Sequence, residues 1–351
     1  MLFLDISVII SWIAYHEYQP QILENFGFGN LAFPFLIWQG LLVVSTPAIA
    51  GLIADKQKLK SGKRLPIINF GINVVAMIFM AVAITLYVEP TGWIVWIIPI
   101  AVTGWLISMN IFRSPAISLI ERFVPQRQLP AVLAIFVFCL EIAYSLEPVI
   151  VDLLTFLGAP ITFFVGGTLI FASGLYLKNS FKQVEGVSLD DNAYGTDTKS
   201  GKSKFWVVIT LSVVLGIYTT LILKFIPNLL NDRYGALDYN FSGNAIATGL
   251  LIVAAFFSLV CGRYVNKDNI DVFAVWGILG YAVIFGTLVV FVGPFATFLS
   301  CLLLTIFFSF LSVSALPLAL YELSTRQTIF GVGLFYGFLE LGEYLWNIIF
   351  F

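Results

Sequence analysis

The stretch GLIADKQKLKSGKRLP, residues 51–66, carries one acid, Asp55, and then five cations within nine residues: Lys56, Lys58, Lys60, Lys63 and Arg64. Long apolar runs flank it on both sides, about 31–54 before and 66–88 after. A run of about 20 apolar residues at 1.5 Å per residue crosses a ~30 Å hydrocarbon core. The charged stretch therefore reads as a short turn between two membrane spans.

Reading outward gives eleven such spans: about 2–22, 31–54, 66–88, 91–118, 130–156, 159–178, 205–226, 241–262, 270–292, 295–321 and 329–350. Composition agrees: 60% of the 351 residues are hydrophobic and 11% are charged. Soluble domains carry about 25% charged residues. The ~10-residue alternating segments of a membrane β-barrel are absent. The chain is expected to be an all-α polytopic membrane protein, with lipid as its solvent.

The basic residues orient it. Links after even-numbered spans hold the cluster at 56–64, then Arg122 and Arg127, Lys178, Lys182, Lys199, Lys202 and Lys204, Arg263 and Lys267, and Arg326. Links on the other side hold only Arg233. By the positive-inside rule, Met1 and the even-numbered links face the cytoplasm, in an inner or plasma membrane. The first span starts at Met1 and shows no cleavable signal. One long polar segment, 179–204, is rich in Ser, Gly, Asp and Lys and reads as a flexible cytoplasmic linker. It separates six spans (1–178) from five (205–351).

Several chemistries lack their residues. Cys139, Cys261 and Cys301 are scattered in apolar runs, with no metal spacing. His16 is the single histidine, so Glu17 beside it makes no HExxH zinc site. No phosphate-binding Walker loop and no nucleophile elbow occur. No enzyme, metal, cofactor or nucleic-acid partner is expected.

Six spans, a cytoplasmic linker and a second set of spans resemble the major facilitator superfamily. Its signature between spans 2 and 3 is Gly-x-x-x-Asp-basic, followed by Gly-basic-basic. Gly51, Asp55, Lys56, Gly62, Lys63 and Arg64 fill those positions. The longer spacer and Pro66 resemble the sucrose and glycoside–pentoside–hexuronide branch. In span 4, NIFRSP from Asn110 to Pro115 is similar to that branch's Asn-x-x-x-Gly-Pro. The acid those carriers have four residues before the Asn is Leu106 here. The resemblance implies a two-bundle fold with 6 + 5 helices and no twelfth helix, one that in the superfamily lies outside the substrate cavity.

The resemblance also implies that the loop is a gating latch. Asp55 ends span 2 beside the start of span 11, whose positive helix end stabilises a carboxylate. Ser324 and Thr325 are expected to cap that helix. Glu322 and Arg326 are expected to complete the charge network. Gly51 allows close helix packing.

Charges at membrane depth face a cavity or a partner. Arg113 on span 4 and Glu141 on span 5 lie at similar heights, which predicts an ion pair. Glu141, Tyr144, Ser145, Pro148 and Asp152 share one face of span 5, with Glu147 off it. Trp12, Tyr15, His16 and Gln19 form a polar face of span 1. Glu340 and Glu343 share a face of span 11 near Tyr336, and Glu340 is the first candidate for a protonated coupling site. Asn110, Tyr144, Asp152 and Tyr336 complete the expected substrate cavity. Lys224, near the end of span 7, is read as snorkelling to the interface.

The expected function is proton-coupled symport of a small polar solute, a sugar by resemblance. The alternative is a membrane scaffold or assembly factor on a degraded transporter fold, with a partner protein.

Overall fold

The computed structural model describes residues 1–61, 65–88, 90–185, 202–234 and 243–350. Gly62, Lys63 and Arg64 of the signature, and most of the linker, lie outside them. Every described secondary-structure element is helical. In lipid only intra-segment hydrogen bonds can satisfy the backbone, which makes the helix the default for these apolar runs.

All eleven expected spans fall on helices. They are α1 (Leu2–Asn25), α2 (Ala32–Ser61), α3 (Leu65–Val88), α4 (Ile97–Phe123), α5 (Leu129–Ser145) with α6 (Glu147–Leu157), and α7 (Ala159–Glu185). After the linker come α8 (Phe205–Thr220), a π-helical turn at Leu221–Phe225, α9 (Ile226–Tyr234), α10 (Gly243–Tyr264), α11 (Ile270–Val290), α12 (Pro294–Tyr321) and α13 (Thr328–Ile349). Among the described residues, nine helical stretches are long and apolar enough to cross a membrane. The two spans outside that set are α1, with Asp5, Glu17 and Glu24, and α13, with Glu340 and Glu343. Those acids belong to the site described below.

Span 5 is broken. Pro148 lacks an N–H and crowds the carbonyl four residues back, so α5 ends at Ser145 and α6 restarts at Glu147 with Pro148 in its first turn. Span 7 is continuous but carries the π turn, an inserted residue that shifts the helix face.

Two apolar clusters form the interior. Val8, Ile68, Phe79, Trp105 and Phe112 belong to one, built from α1, α3, α4 and α7. Tyr218, Ala254, Tyr281, Leu304 and Leu311 belong to the other, built from α8 and α10–α12, and α5 lends it Leu133 and Phe136. The halves meet chiefly along α2 and α13, the most extensive helix contact among the described residues, and along α5 and α10, with smaller contacts of α4 with α13 and of α5 with α12. Large apolar side chains point outward on most helices, among them Phe70, Met77, Phe156, Trp276 and Val283. Such a belt suits hydrocarbon, not water.

Candidate functional site: an acidic cavity and the seam beneath it

The α2–α13 seam is closed by backbone contact. Gly51, Gly333 and Gly337 lie where the helices cross most closely. A methyl group on Gly51 would sit 2.7 Å from Phe330 Cα, and one on Gly337 would sit 3.1 Å from Val44 Cα. No larger residue fits there without moving a helix.

At the end of this seam that carries the α2–α3 link, Asp55 turns into the first turn of α13. Its Oδ1 accepts the Ile329 N–H at 3.3 Å and its Oδ2 accepts the Phe330 N–H at 2.8 Å. These donors have no partner within their own helix. Asp55 is 5% exposed, so this charge–dipole contact is shielded from water. No side chain at Gln327, the residue preceding the helix, caps it. The expected caps do other work. Ser324 bonds to Ser203, while the Thr325 carbonyl accepts Lys58 Nζ at 2.8 Å. The cap is thus supplied from another helix, by the carboxylate expected there. Lys56 is exposed. Glu322 does not pair with Arg326 as expected. It takes Lys204 at 2.8 Å, because the chain entering α8 runs against the end of α12. That contact raises the Lys204 pKa, first through the hydrogen bond and then through the charge of Glu322. Arg326 makes no ion pair among the described residues.

Toward the other face the helices diverge around a cavity of about 1180 Å³. It opens among the end of α1, the start of α2, the end of α6 and the end of α13 (Glu24, Gly29, Asp152 and Phe350). Trp12, His16, Gln19, Tyr144, Asp152, Glu340 and Glu343 line it, as the sequence reading expects.

Other expected residues sit elsewhere. Tyr15 is behind the wall. Its ring stacks on Trp105 at 4.2 Å, and its hydroxyl accepts a hydrogen bond from Gln39, which does line the cavity. Asn110 turns back and donates to its own helix at Leu106 O, 2.9 Å, so it holds backbone and not solute. Tyr336 lies under the floor, with Arg113 Cζ 4.6 Å from its ring centre.

The expected Arg113–Glu141 pair does not form. Arg113 crosses to α13 and binds Glu340, Nη1 to Oε1 at 2.9 Å. Glu141 points from α5 to α10, where its Oε2 accepts the Ser258 hydroxyl at 2.9 Å. Spacing along a helix fixes height, but azimuth depends on how neighbouring helices rotate. Arg113 is 7% exposed and also feels the charge of Asp5 on α1. Glu340 and Glu343 are not left facing each other as an unpaired couple of acids. Each has its own cation, since Glu343 Oε1 binds Lys224 Nζ at 3.0 Å. Lys224 also reaches Asn347 Oδ1 at 3.1 Å. It lines the cavity instead of snorkelling outward, because the π turn rotates it inward.

Glu147 is a second correction. On an unbroken span 5 it falls off the polar face. The break before Pro148 resets the phase, and Glu147 lines the cavity near Glu343 and Lys224. Pro148 itself was the available signal for that shift. Glu141 and Ser145 do not line the cavity, although Tyr144 of the same helix does: Glu141 turns to Ser258 of α10, and the Ser145 hydroxyl donates to Ile142 O at 2.7 Å.

No protein-family model matches the sequence, and no curated protein matches it. Solved structures do match in fold. The human organic anion transporter MFSD10 (TETRAN) aligns with a TM-score of 0.67 at 14% identity, over 99% of this chain and 92% of that one. A bacterial homologue of the iron transporter ferroportin, outward-facing with soaked iron, gives 0.59 at 14% identity, over 99% and 89%. A bacterial homologue of the human lysosomal transporter Spinster, inward-facing and occupied, gives 0.52 at 14% identity, over 97% and 78%. The chain therefore has the fold of major-facilitator-type transporters, with no likeness that singles out the sucrose branch.

Proposed function

We propose that the chain is a secondary active transporter that moves a small polar solute by alternating access. One observation carries this: a large cavity reaches one face while the α2–α13 seam, pinned by Asp55, closes toward the other. Two halves that rock about such a site expose it to one side at a time. The excess of basic residues on the links of the α2–α3 side supports a cytoplasmic position for that face. On that reading the structure is outward-facing.

Proton coupling is the finer part of the proposal. Its carriers are Glu340, tied to Arg113, and Glu141, buried at the α5–α10 contact with one oxygen on Ser258 and the other unpartnered among the described residues. A neutral sugar is the solute suggested by the resemblance of the loop. Trp12 and Tyr144 offer it aromatic faces, and Gln19 and Gln39 offer amides for hydroxyl groups.

The test is a reversible lock. Cys139, Cys261 and Cys301 are replaced by Ala, and Lys58→Cys and Thr325→Cys are introduced on the two sides of the seam. The disulfide form is expected to keep a cavity-lining thiol at Ala247→Cys (blocked during oxidation and then released) reactive only from the α1–α2 face. The reduced form is expected to expose it in turn to both faces. Reactivity unchanged by the lock would defeat the alternating-access reading.

A further inference from the structure

We infer that the cavity takes an organic cation, an amine or quaternary ammonium compound, bound between Glu147 and Glu343 where the chain's own Lys224 now sits. This rests on the transporter reading and narrows its solute class away from the neutral sugar.

Six carboxylates line the cavity: Glu17, Glu24, Glu147, Asp152, Glu340 and Glu343. Against them stands one lining lysine, Lys224, which leaves a formal charge of −5 with His16 neutral. Arg113 beneath the floor reduces that to −4. A cleft of one sign with low-dielectric walls focuses its field and concentrates the opposite charge. An anion entering here meets net repulsion. A neutral solute would leave the remaining unpaired carboxylates without a counter-charge as the cavity closes.

The acids alone do not carry the assignment. The cavity already holds an ammonium group, from the protein itself. Lys224 Nζ lies 3.0 Å from Glu343 Oε1 and 3.1 Å from Asn347 Oδ1, presented by the π turn. Glu147 faces the same pair and has no hydrogen bond or ion pair of its own among the described residues. Tyr344, 3% exposed, also lines the cavity, and its hydroxyl has no partner among the described residues. Trp12 and Trp346 add ring faces that attract cations. Among the described residues no group of three or more His, Cys, Asp and Glu is placed to hold a metal ion.

The experiment is uptake into proteoliposomes, with three cations (choline, tetraethylammonium, 1,4-diaminobutane), the uncharged choline isostere 3,3-dimethylbutan-1-ol, glucose and acetate. At least one cation is expected to accumulate, with the isostere excluded. Glu147→Gln is expected to lower cation uptake at least tenfold at equal reconstituted protein. Lys224→Met removes the internal competitor and is expected to lower the half-saturating cation concentration severalfold, an effect that a purely structural lysine would not produce. Accumulation of glucose or acetate without any cation would overturn the inference and leave the transporter standing. Movement of no solute would also overturn it, and the locking experiment above then decides separately whether the protein alternates.

Discussion

The two main helix pairs that join the halves are built differently. Along α2–α13 the contact is backbone on backbone: glycines remove the side chains, and Asp55 caps a helix end from the neighbouring helix. Along α5–α10 a single glycine, Gly262, packs on Ala134, and side-chain hydrogen bonds are added to that contact. Glu141 accepts from Ser258, and Thr248 donates to Ser145 O. The first seam tolerates almost no change of volume. The second is sensitive to polarity as well. A protein that must open one face and keep the halves attached benefits from that division. A seam of shape releases as a unit, whereas hydrogen bonds at the other contact exchange partners one at a time.

This contrast can be broken in graded steps. The largest effect is expected from Arg113→Met, which strands Glu340 of α13 without its cation. Removing one partner of a buried pair costs about 3–5 kcal/mol. The lower end is expected here, since Glu340 is 22% exposed. Thermal unfolding in detergent should show the loss, and Arg113→Met combined with Glu340→Gln should recover most of it. Next comes Gly337→Leu. Overpacking costs about 1–3 kcal/mol, and the neighbour here is the Val44 backbone, which cannot rotate away.

Asp55→Asn keeps the shape and removes the charge. Charge at a partly buried helix N-terminus is worth up to ~2 kcal/mol. The expected result is a roughly tenfold shift of the population away from the sealed α2–α13 arrangement, as ~1.4 kcal/mol corresponds to a factor of ten. At the other seam, Ser258→Ala leaves a Glu141 oxygen without its donor and should cost about 1–3 kcal/mol. Glu141→Gln keeps a hydrogen-bonding group and should be nearly neutral for stability. If Glu141 carries the coupled proton, the same substitution removes the dependence of uptake on a pH gradient. The smallest effect is expected at Lys204, whose pair with Glu322 is exposed to solvent. Lys204→Ala should leave thermal stability unchanged within error. The sign follows from its raised pKa: whatever the pair contributes is fully present below the ordinary lysine value of 10.5 and fades as pH rises through the raised one.

The sequence shows the spans because length and hydropathy suffice for them. It shows the Asp55 contact because a carboxylate at the end of one span and a bare helix start on another are both local features. What it hides is rotation. Arg113 and Glu141 were readable as buried charges of similar height, yet the helix turns send them to α13 and α10. Pro148 and the π turn at Leu221–Phe225 each shift a face, and so bring Glu147 and Lys224 into the cavity. The proline was visible as a breaker. A π turn has no sequence signature of comparable strength, and only the cost of placing Lys224 within a span pointed to it. Tyr15, Asn110 and Tyr336 were polar residues on the right helices. They serve the structure around the cavity because each finds a partner in the wall or floor.

The central claim is that the two faces open in alternation, with Asp55 holding one of them shut. Spin-label distances test it directly. One pair, Lys58→Cys and Arg326→Cys, spans the sealed face. The other, Glu24→Cys and Asn228→Cys, spans the cavity mouth. In Asp55→Asn the account predicts a longer distance at the first pair together with a shorter one at the second, in the same fraction of molecules. A widening of the sealed face with no narrowing of the mouth would contradict it.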